Sequence, residues 1–200
     1  MINGDSQEYD LLQEACDMKQ VDPHQDSIIT VEIGVREGLG SKIILDTYKD
    51  VAKPHYHFGI DPYGNLNYAH YDNNLAYTAD YTNQMRDTLL KDLSYYPNFK
   101  FFNLTDKEFM KRYHDGVPVY DNSKETIYNV YDLVHFDGPH KTKEVLEEAI
   151  FFANRSSSTA VFVFDDHKTY DMNLIGRVLN YYNFKEVKKG AHKIIYAKKI

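Results

Sequence analysis

Five carboxylates stand where chemistry would need them. Glu32, Asp61, Asp137, Asp165 and Asp166 each sit at the end of a short apolar run: Ile28-Ile29-Thr30-Val31-Glu32-Ile33, His57-Phe58-Gly59-Ile60-Asp61, His135-Phe136-Asp137 and Val161-Phe162-Val163-Phe164-Asp165-Asp166. Such runs, alternating with amphipathic segments, read as buried parallel strands, and parallel strands all end on one edge of their sheet. The acids are therefore expected to gather on one rim. After the first run comes Gly34-Val35-Arg36-Glu37-Gly38-Leu39-Gly40-Ser41, a glycine-punctuated turn entering a helix. Such a turn lets a ligand approach the backbone, and the helix end presents unpaired N–H groups to it. A glycine loop after one strand and an acid after the next is how open α/β sheets hold nucleoside-containing cofactors. In this reading Asp61 accepts the ribose hydroxyls and Glu32 supports the loop.

Asp137, Asp165 and Asp166 would repel one another at adjacent strand ends unless something positive sat between them. All-oxygen ligation favours a hard cation, Mg²⁺ first, with Ca²⁺ or Mn²⁺ as alternatives. Each acid also has a plainer use: Asp137-Gly138 suits a turn, and Asp165-Asp166 a helix cap. His140, Lys141 and His167 flank the acid pairs as candidate general bases. Thr105-Asp106-Lys107-Glu108 reads as a capping box, and Asn103-Leu104 just before it would lie beside an adenine.

The elements that must position these residues follow from periodicity. The pattern predicts an N-terminal helix over 5–20, strands at 28–34, 56–61, 99–104, 131–136 and 159–165, and helices at 40–50, 82–93, 105–114, 140–154 and 171–182. This alternation gives an α/β protein with a parallel sheet and helices on both faces. Phe184 to Lys188 and His192 to Lys198 are separated by only Lys189-Gly190-Ala191, which suits an antiparallel hairpin. The tyrosine-rich connection 62–81 is read as an acceptor-side flap, and 115–130 as a second insertion near the same edge. One domain is expected over 1–200, with 1–27 as a helical extension.

Composition narrows the partners. Lys plus Arg total 23 against 30 for Asp plus Glu, a net charge of -7. With no basic stripe, neither nucleic acid nor an anionic membrane surface is an expected partner. Cys16 is the sole cysteine, so no internal disulfide can form. No apolar run approaches the ~18 residues of a membrane span, and 1–5 lacks signal-peptide character. A reducing, cytoplasmic setting is expected, with a small-molecule acceptor and the oligomeric state left open, a homo-oligomer included.

At Val31 to Ser41, Gly59 to Pro62, His135 to His140 and Val161 to Asp166 the chain resembles a class I S-adenosylmethionine-dependent methyltransferase. It is most similar to the small metal-dependent O-methyltransferases of macrocin and catechol type, by order of elements over 28–198. The resemblance implies a Rossmann-like three-layer sandwich: a seven-stranded, mostly parallel sheet with an antiparallel last strand. It implies that Gly34, Gly38, Gly40 and Ser41 line the methionine part of the cofactor, and that Asp61 holds its ribose. It also implies that Asp137, Asp165 and Asp166 ligate the metal. The catechol-type lysine, three residues beyond the first metal aspartate, is replaced here by His140, with Lys141 next. The implied activity is O-methylation of a small hydroxylated molecule such as a sugar or phenol, with His140 or His167 removing the proton. Two other enzyme readings remain. A nicotinamide-dependent oxidoreductase fits the 21 positions from Gly40 to Asp61, but lacks the third glycine of that fingerprint. A metal-dependent hydrolase could use His135, Asp137, His140, Asp165, Asp166 and His167, leaving the glycine loop without a role. A non-catalytic ligand-binding protein of the same fold is the third alternative.

Overall fold

The computed structural model describes residues 2–4, 6–18, 22, 25–72, 76–78, 80–121 and 123–199, at 76–78 as backbone only. In chain order the elements are α1 (Tyr9–Met18), β1 (Ile28–Ile33), α2 (Leu39–Tyr48), β2 (His55–Ile60), β3 (Asn67–Ala69), β4 (Ala76–Thr78), α3 (Asn83–Asp92), β5 (Phe99–Phe102), α4 (Asp106–Arg112), β6 (Val117–Asp121), β7 (Lys124–Tyr128), β8 (Tyr131–Phe136), α5 (Thr142–Ala153), β9 (Ser156–Phe164), α6 (Met172–Tyr181), β10 (Phe184–Lys189) and β11 (Ile194–Lys198).

Seven strands form one sheet in the order β10-β11-β9-β8-β1-β2-β5. From β9 to β5 every neighbouring pair is parallel, whereas β11 runs antiparallel to both β9 and β10. The central strands β1 and β8 are buried at all six positions, which is why each is nearly continuous in apolar residues. One face of the sheet is covered by α1 and α2, through Leu12 and Ile44 against Leu133, Val163 and Ile195. The other packs Phe109, Val145, Phe152, Ile175 and Leu179 of α4, α5 and α6 onto Phe58, Phe136 and Phe162. The result is the three-layer α/β sandwich expected, with the last strand antiparallel. The chain builds outward from β1 to β5 and then returns to β8 on β1's other side. That reversal opens a crevice beyond the strand ends, where ligands of this architecture bind.

Both long connections contain hairpins that the sequence reading left as loops, β3–β4 within 62–81 and β6–β7 within 115–130. Their strands are short, and β7 has no buried residue, so no alternation marked them. β9 begins at Ser156 rather than 159, because Ser156-Ser157-Ser158 carries no apolar signal. The expected helix 5–20 spans Tyr9–Met18; its positions 5, 19 and 20, and positions 73–75 and 79 of the flap, lie outside the described residues.

Candidate active site

Each central strand passes its hydrogen-bond ladder one residue beyond its end. The Gly34 amide donates to the Ile60 carbonyl (2.9 Å), Asp61 to Phe102 (3.1 Å), Asp137 to Ile33 (2.9 Å) and Asp165 to Phe136 (2.9 Å). These residues therefore share one rim. Gly34 has φ +81, and a Cβ on it would lie 2.1 Å from the Asp137 carbonyl oxygen. Only glycine fits, because loop and strand end cross backbone to backbone.

Asp61 clamps the loop. Its Oδ2 accepts from the amides of Val35 and Arg36, both at 3.0 Å, and its Oδ1 from Tyr63 at 3.1 Å. Burial pushes its pKa up from 3.8 to about 6, against the pull of those amides. A carboxylate offers about four acceptor directions, so one remains on Oδ1 beside the crevice.

Glu32 lies beneath the loop, 2 % exposed. A Cβ on Gly40 would meet its Oε1 at 1.9 Å, and Ser41 Oγ donates to its Oε2. His135 Nδ1 reaches Oε1 at 2.9 Å. The chain runs on from Ser41 Oγ to His57 Nε2 (2.9 Å), His57 Nδ1 to Thr30 Oγ1 (2.9 Å), Thr30 to His55 Nε2 (2.8 Å), and His55 Nδ1 to Asn98 Nδ2 (3.1 Å). Burial lowers the pKa of His55 to about 3 and that of His57 well below 6.5, so both are neutral. With Glu32 accepting from both neighbours, each later bond has one allowed direction, ending with the Asn98 amide donating. The other ring nitrogen of His135, Nε2, lies 3.9 Å from Asp137 Oδ2.

Two adjoining cavities, of about 330 Å³ and 270 Å³, share Gly34, Tyr81 and Asp137 on their walls. The larger is bounded by Ile33, Ile60, Asp61, Pro62, Tyr68 and Pro139, mainly apolar with a few polar groups, and its volume suits a bound small molecule. The smaller is polar, with Arg36, His70, His140, Asp165, Asp166 and His192. Of the sequence candidates, Gly34, Asp61, Asp137, His140, Asp165 and Asp166 face this crevice. Glu32, Gly38, Gly40 and Ser41 do not: Gly38 caps α2 at φ +90 against Leu89, and the others form the loop's underside. Asn103 Nδ2 donates to the Pro62 carbonyl while its Oδ1 accepts from Arg86 (3.0 Å), bracing the rim from outside. Leu104 packs against the core. Lys141 is the residue before α5. His167 is buried with Nε2 3.2 Å from the Gly190 carbonyl.

His140 is 5 % exposed, between the rings of Tyr71 and Tyr170. Its Nδ1 lies 2.6 Å from His70 Nε2, and its amide donates to the His70 carbonyl at 3.0 Å. Its Nε2 is buried without a hydrogen-bond partner, and burial lowers its pKa below 6.5. His70, which the sequence reading did not single out, thus ties the flap to the rim.

The structure does not support the expected metal centre. Lys193, 0 % exposed, places Nζ 2.7 Å from Asp165 Oδ1 and 2.6 Å from Ser6 Oγ, and Ser6 Oγ donates to Asp165 Oδ2 at 2.7 Å. Burial alone would raise the Asp165 pKa, but the ammonium prevails and holds it well below the usual range. Asp137 goes the other way: burial, then the charge of Asp165, push it well up, so the pair keeps one proton on Asp137. Asp166, at φ +44, turns its Oδ1 to His192 Nδ1 at 3.1 Å. Among the described residues, no three His, Cys, Asp or Glu side chains are arranged to hold a metal ion. With a buried ammonium already bound to Asp165, the set of Asp137, Asp165 and Asp166 does not fit Mg²⁺, Ca²⁺ or Mn²⁺.

Lys193 is held by the N-terminal segment. Glu8 Oε1 accepts from the Ala191 amide (2.7 Å), and its Oε2 from His192 and Lys193 (both 2.8 Å). These amides, that of Lys193 foremost, bring the Glu8 pKa down to about 2. Ser6 and Gln7 then line the polar cavity. No spacing in the sequence marks this meeting of distant segments.

A crevice at the sheet's reversal point, with a carboxylate-clamped glycine loop and an acidic rim, defines a Rossmann-like protein built for a nucleoside-containing ligand. A profile of a methyltransferase-domain family matches residues 31–167, and the chain belongs to that family, the class I S-adenosylmethionine-dependent methyltransferases. It is similar in fold to a putative methyltransferase from Streptococcus mutans in complex with SAH (TM-score 0.57, 8% identity, covering 98% of this chain and 100% of that one). It is also similar to a putative rRNA-methylase from Clostridium thermocellum (0.60, 8%, 99% and 98%) and to the O-methyltransferase NovP (0.55, 10%, 96% and 79%). At such identities the likeness is one of fold. No curated protein matches the chain.

Proposed function

We propose that this protein transfers the methyl group of S-adenosylmethionine to a hydroxyl oxygen of a small molecule, with His140 as the general base. The observation that carries this reading is the pair of joined cavities: one mainly apolar and edged by Asp61, the other polar and holding the unpartnered Nε2 of His140. Gly34 lines both cavities, and the spare acceptor direction of Asp61 suits a ribose hydroxyl, so the residues present fit the cofactor. Bound here, S-adenosylmethionine supplies a methyl group already activated by its sulfonium.

The chain's own task is placement and proton removal. Gly34 and the clamped loop fix the position of the cofactor side, and Tyr81 stands at the junction of the two cavities. With Nδ1 donating to His70, His140 presents the Nε2 lone pair to an acceptor hydroxyl. As the carbon–oxygen bond forms and the carbon–sulfur bond breaks, the hydroxyl proton passes to Nε2. Burial keeps this imidazole neutral at pH 7 and so able to act as a base. Asp165 and Asp166 on the same wall accept hydrogen bonds from other hydroxyls, which favours a sugar-like or polyphenolic acceptor. Their charge disfavours a phosphate backbone, so the acceptor is a small molecule rather than RNA.

Calorimetry with S-adenosylhomocysteine and with NADH, followed by a screen of hydroxylated acceptors using methyl-labelled cofactor, tests the reading. S-adenosylhomocysteine binding and a labelled ether product support it. Preference for NADH, or label appearing only on nitrogen, would overturn it. His140→Gln should abolish turnover while S-adenosylhomocysteine affinity stays within about twofold.

A further inference from the structure

We propose that Lys193 is the permanent cation of this site, and that its buried ammonium makes methyl transfer here independent of a divalent ion. Sequence resemblance assigns Asp137, Asp165 and Asp166 to a metal; the geometry gives the same ground to a side chain. The Lys193 ammonium meets Asp165 Oδ1 at 2.7 Å and Ser6 Oγ at 2.6 Å, and Ser6 returns a bond of 2.7 Å to Asp165 Oδ2. Both carboxylate oxygens are thereby engaged within a closed triangle. Lys193 and Asp165 side chains are 0% and 6% exposed, so water cannot readily take the place of either. An arriving divalent ion would meet a fixed positive charge beside the acceptor directions that Asp165 has left, and the two would repel.

Three features hold the ammonium in place. The Lys193 backbone amide is bound by Glu8, whose carboxylate also gathers the amides of Ala191 and His192. Its side chain runs past the Tyr9 ring, with Nζ 5.6 Å from the centroid. Finally, β11, which begins one residue later at Ile194, is paired on both edges. Lys193 is not on the cavity wall, but Asp165 is. Lys193 is therefore a positioning residue: it keeps the Asp165 carboxylate charged and in one orientation, as an acceptor for a substrate hydroxyl. A metal ion would orient that hydroxyl by direct coordination; here a lysine–aspartate pair does so by hydrogen bonding.

The experiment titrates Mn²⁺ into purified full-length protein and reads the free-ion spin-resonance signal, alongside calorimetry with S-adenosylhomocysteine. Wild type should leave the Mn²⁺ signal undiminished, and its affinity for S-adenosylhomocysteine should be the same in EDTA and in Mg²⁺. Lys193→Ala and Lys193→Gln should each gain at least about tenfold in Mn²⁺ affinity, lost again when Asp165→Asn is added, and Lys193→Arg should behave as wild type. Uptake of one equivalent of Mn²⁺ by wild type, or folded Lys193 variants that bind no more than wild type, overturns the proposal. Only the turnover arm rests on the methyl-transfer reading. With an acceptor in hand, EDTA should leave wild-type turnover unchanged, and Lys193→Gln should lower kcat at least about tenfold with cofactor affinity held. Turnover abolished by EDTA and restored by Mg²⁺ would also overturn it. A wild type that binds neither S-adenosylhomocysteine nor Mn²⁺ overturns the methyl-transfer reading and leaves the cation assignment supported.

Discussion

Asp61 offers the sharpest test of how the crevice is built, because two substitutions at one position should have opposite consequences. Its carboxylate accepts from the amides of Val35, Arg36 and Tyr63, and Val35 and Tyr63 are only 4% and 2% exposed. In Asp61→Ala those donors lose their acceptor, each at about 1–3 kcal/mol where water cannot replace it. Against this, burial has raised the pKa from 3.8 to about 6, so holding the charge at pH 7 costs about 3 kcal/mol, and alanine is relieved of it. Roughly 6 kcal/mol lost and 3 regained leaves a net destabilisation of about 3 kcal/mol, or about 6–12 °C in melting temperature for a chain of this size. Asp61→Asn keeps an oxygen for the Val35 and Arg36 amides, forfeits the Tyr63 bond and sheds the charge, so at pH 7 it should melt within about 3 °C of wild type. The comparison also has a pH signature. Below 3.8 the carboxyl is protonated in both folded and unfolded chains. As pH rises towards 6 the unfolded chain ionises first, and wild type loses stability relative to Asp61→Asn before levelling above 6. Scanning fluorimetry of ligand-free proteins across pH 3.5–7.5 provides the measurement. An Asp61→Ala protein melting within 2 °C of wild type would refute the clamp, and a pH-independent difference between wild type and Asp61→Asn would refute the origin of the raised pKa.

Three further substitutions probe other parts of the fold. Glu148, 1% exposed and with Oε1 unpartnered, is held neutral because burial, and then Asp106, push its pKa well up. Glu148→Gln should therefore stabilise the protein above the ordinary carboxylate range and do little at pH 4; equal shifts at both pH values in thermal melts would contradict this. Glu8 is the reverse case, its pKa brought down to about 2 chiefly by the Lys193 amide. Its stabilisation is present above 4.5 and is lost as pH falls towards 2, so the melting-temperature gap between wild type and Glu8→Gln should close over that window. A gap that persists at pH 2 argues against the carboxylate as its source. Gly34→Ala places a methyl 2.1 Å from the Asp137 carbonyl oxygen at φ +81, and should cost at least about 3 kcal/mol in stability together with S-adenosylhomocysteine binding; an undiminished calorimetric titration would show that the crossing can spread.

Legibility in the sequence followed burial. Strands such as Tyr131–Phe136, covered on both faces, announce themselves by composition, and their alternation with helices plus the terminal hairpin gives a parallel sheet with an antiparallel end, though not the strand order. The gathering of Asp61, Asp137 and Asp165 on one rim was readable for the same reason, since strand direction fixes where ends fall. What each acid meets there was not readable. Lys193 stands in a hairpin turn like any of the other lysines, and only tertiary contact with Ser6 turns it into the partner of Asp165. Gly40 and Ser41 share the loop's signature with Gly34, yet the helix they begin points them down at Glu32. His70 was hidden in a polar, tyrosine-rich segment whose strands are too short to leave a period. The buried line from Asn98 to His135 was equally silent, because its members come from three strands, a helix and the residue just before β5, and only the pairing register aligns them.

The union of Glu8 with residues 191–193, across separations of 183 to 185 positions, has a consequence for biogenesis. A nascent polypeptide that has reached His167 already carries every acid of the rim, but it lacks the hairpin that anchors Ser6 and Gln7 over the polar chamber. Completion of that chamber thus waits for residues 190–193, and a fragment severed ahead of Gly190 would retain the glycine loop while lacking the partner that holds Ser6 and Gln7 there.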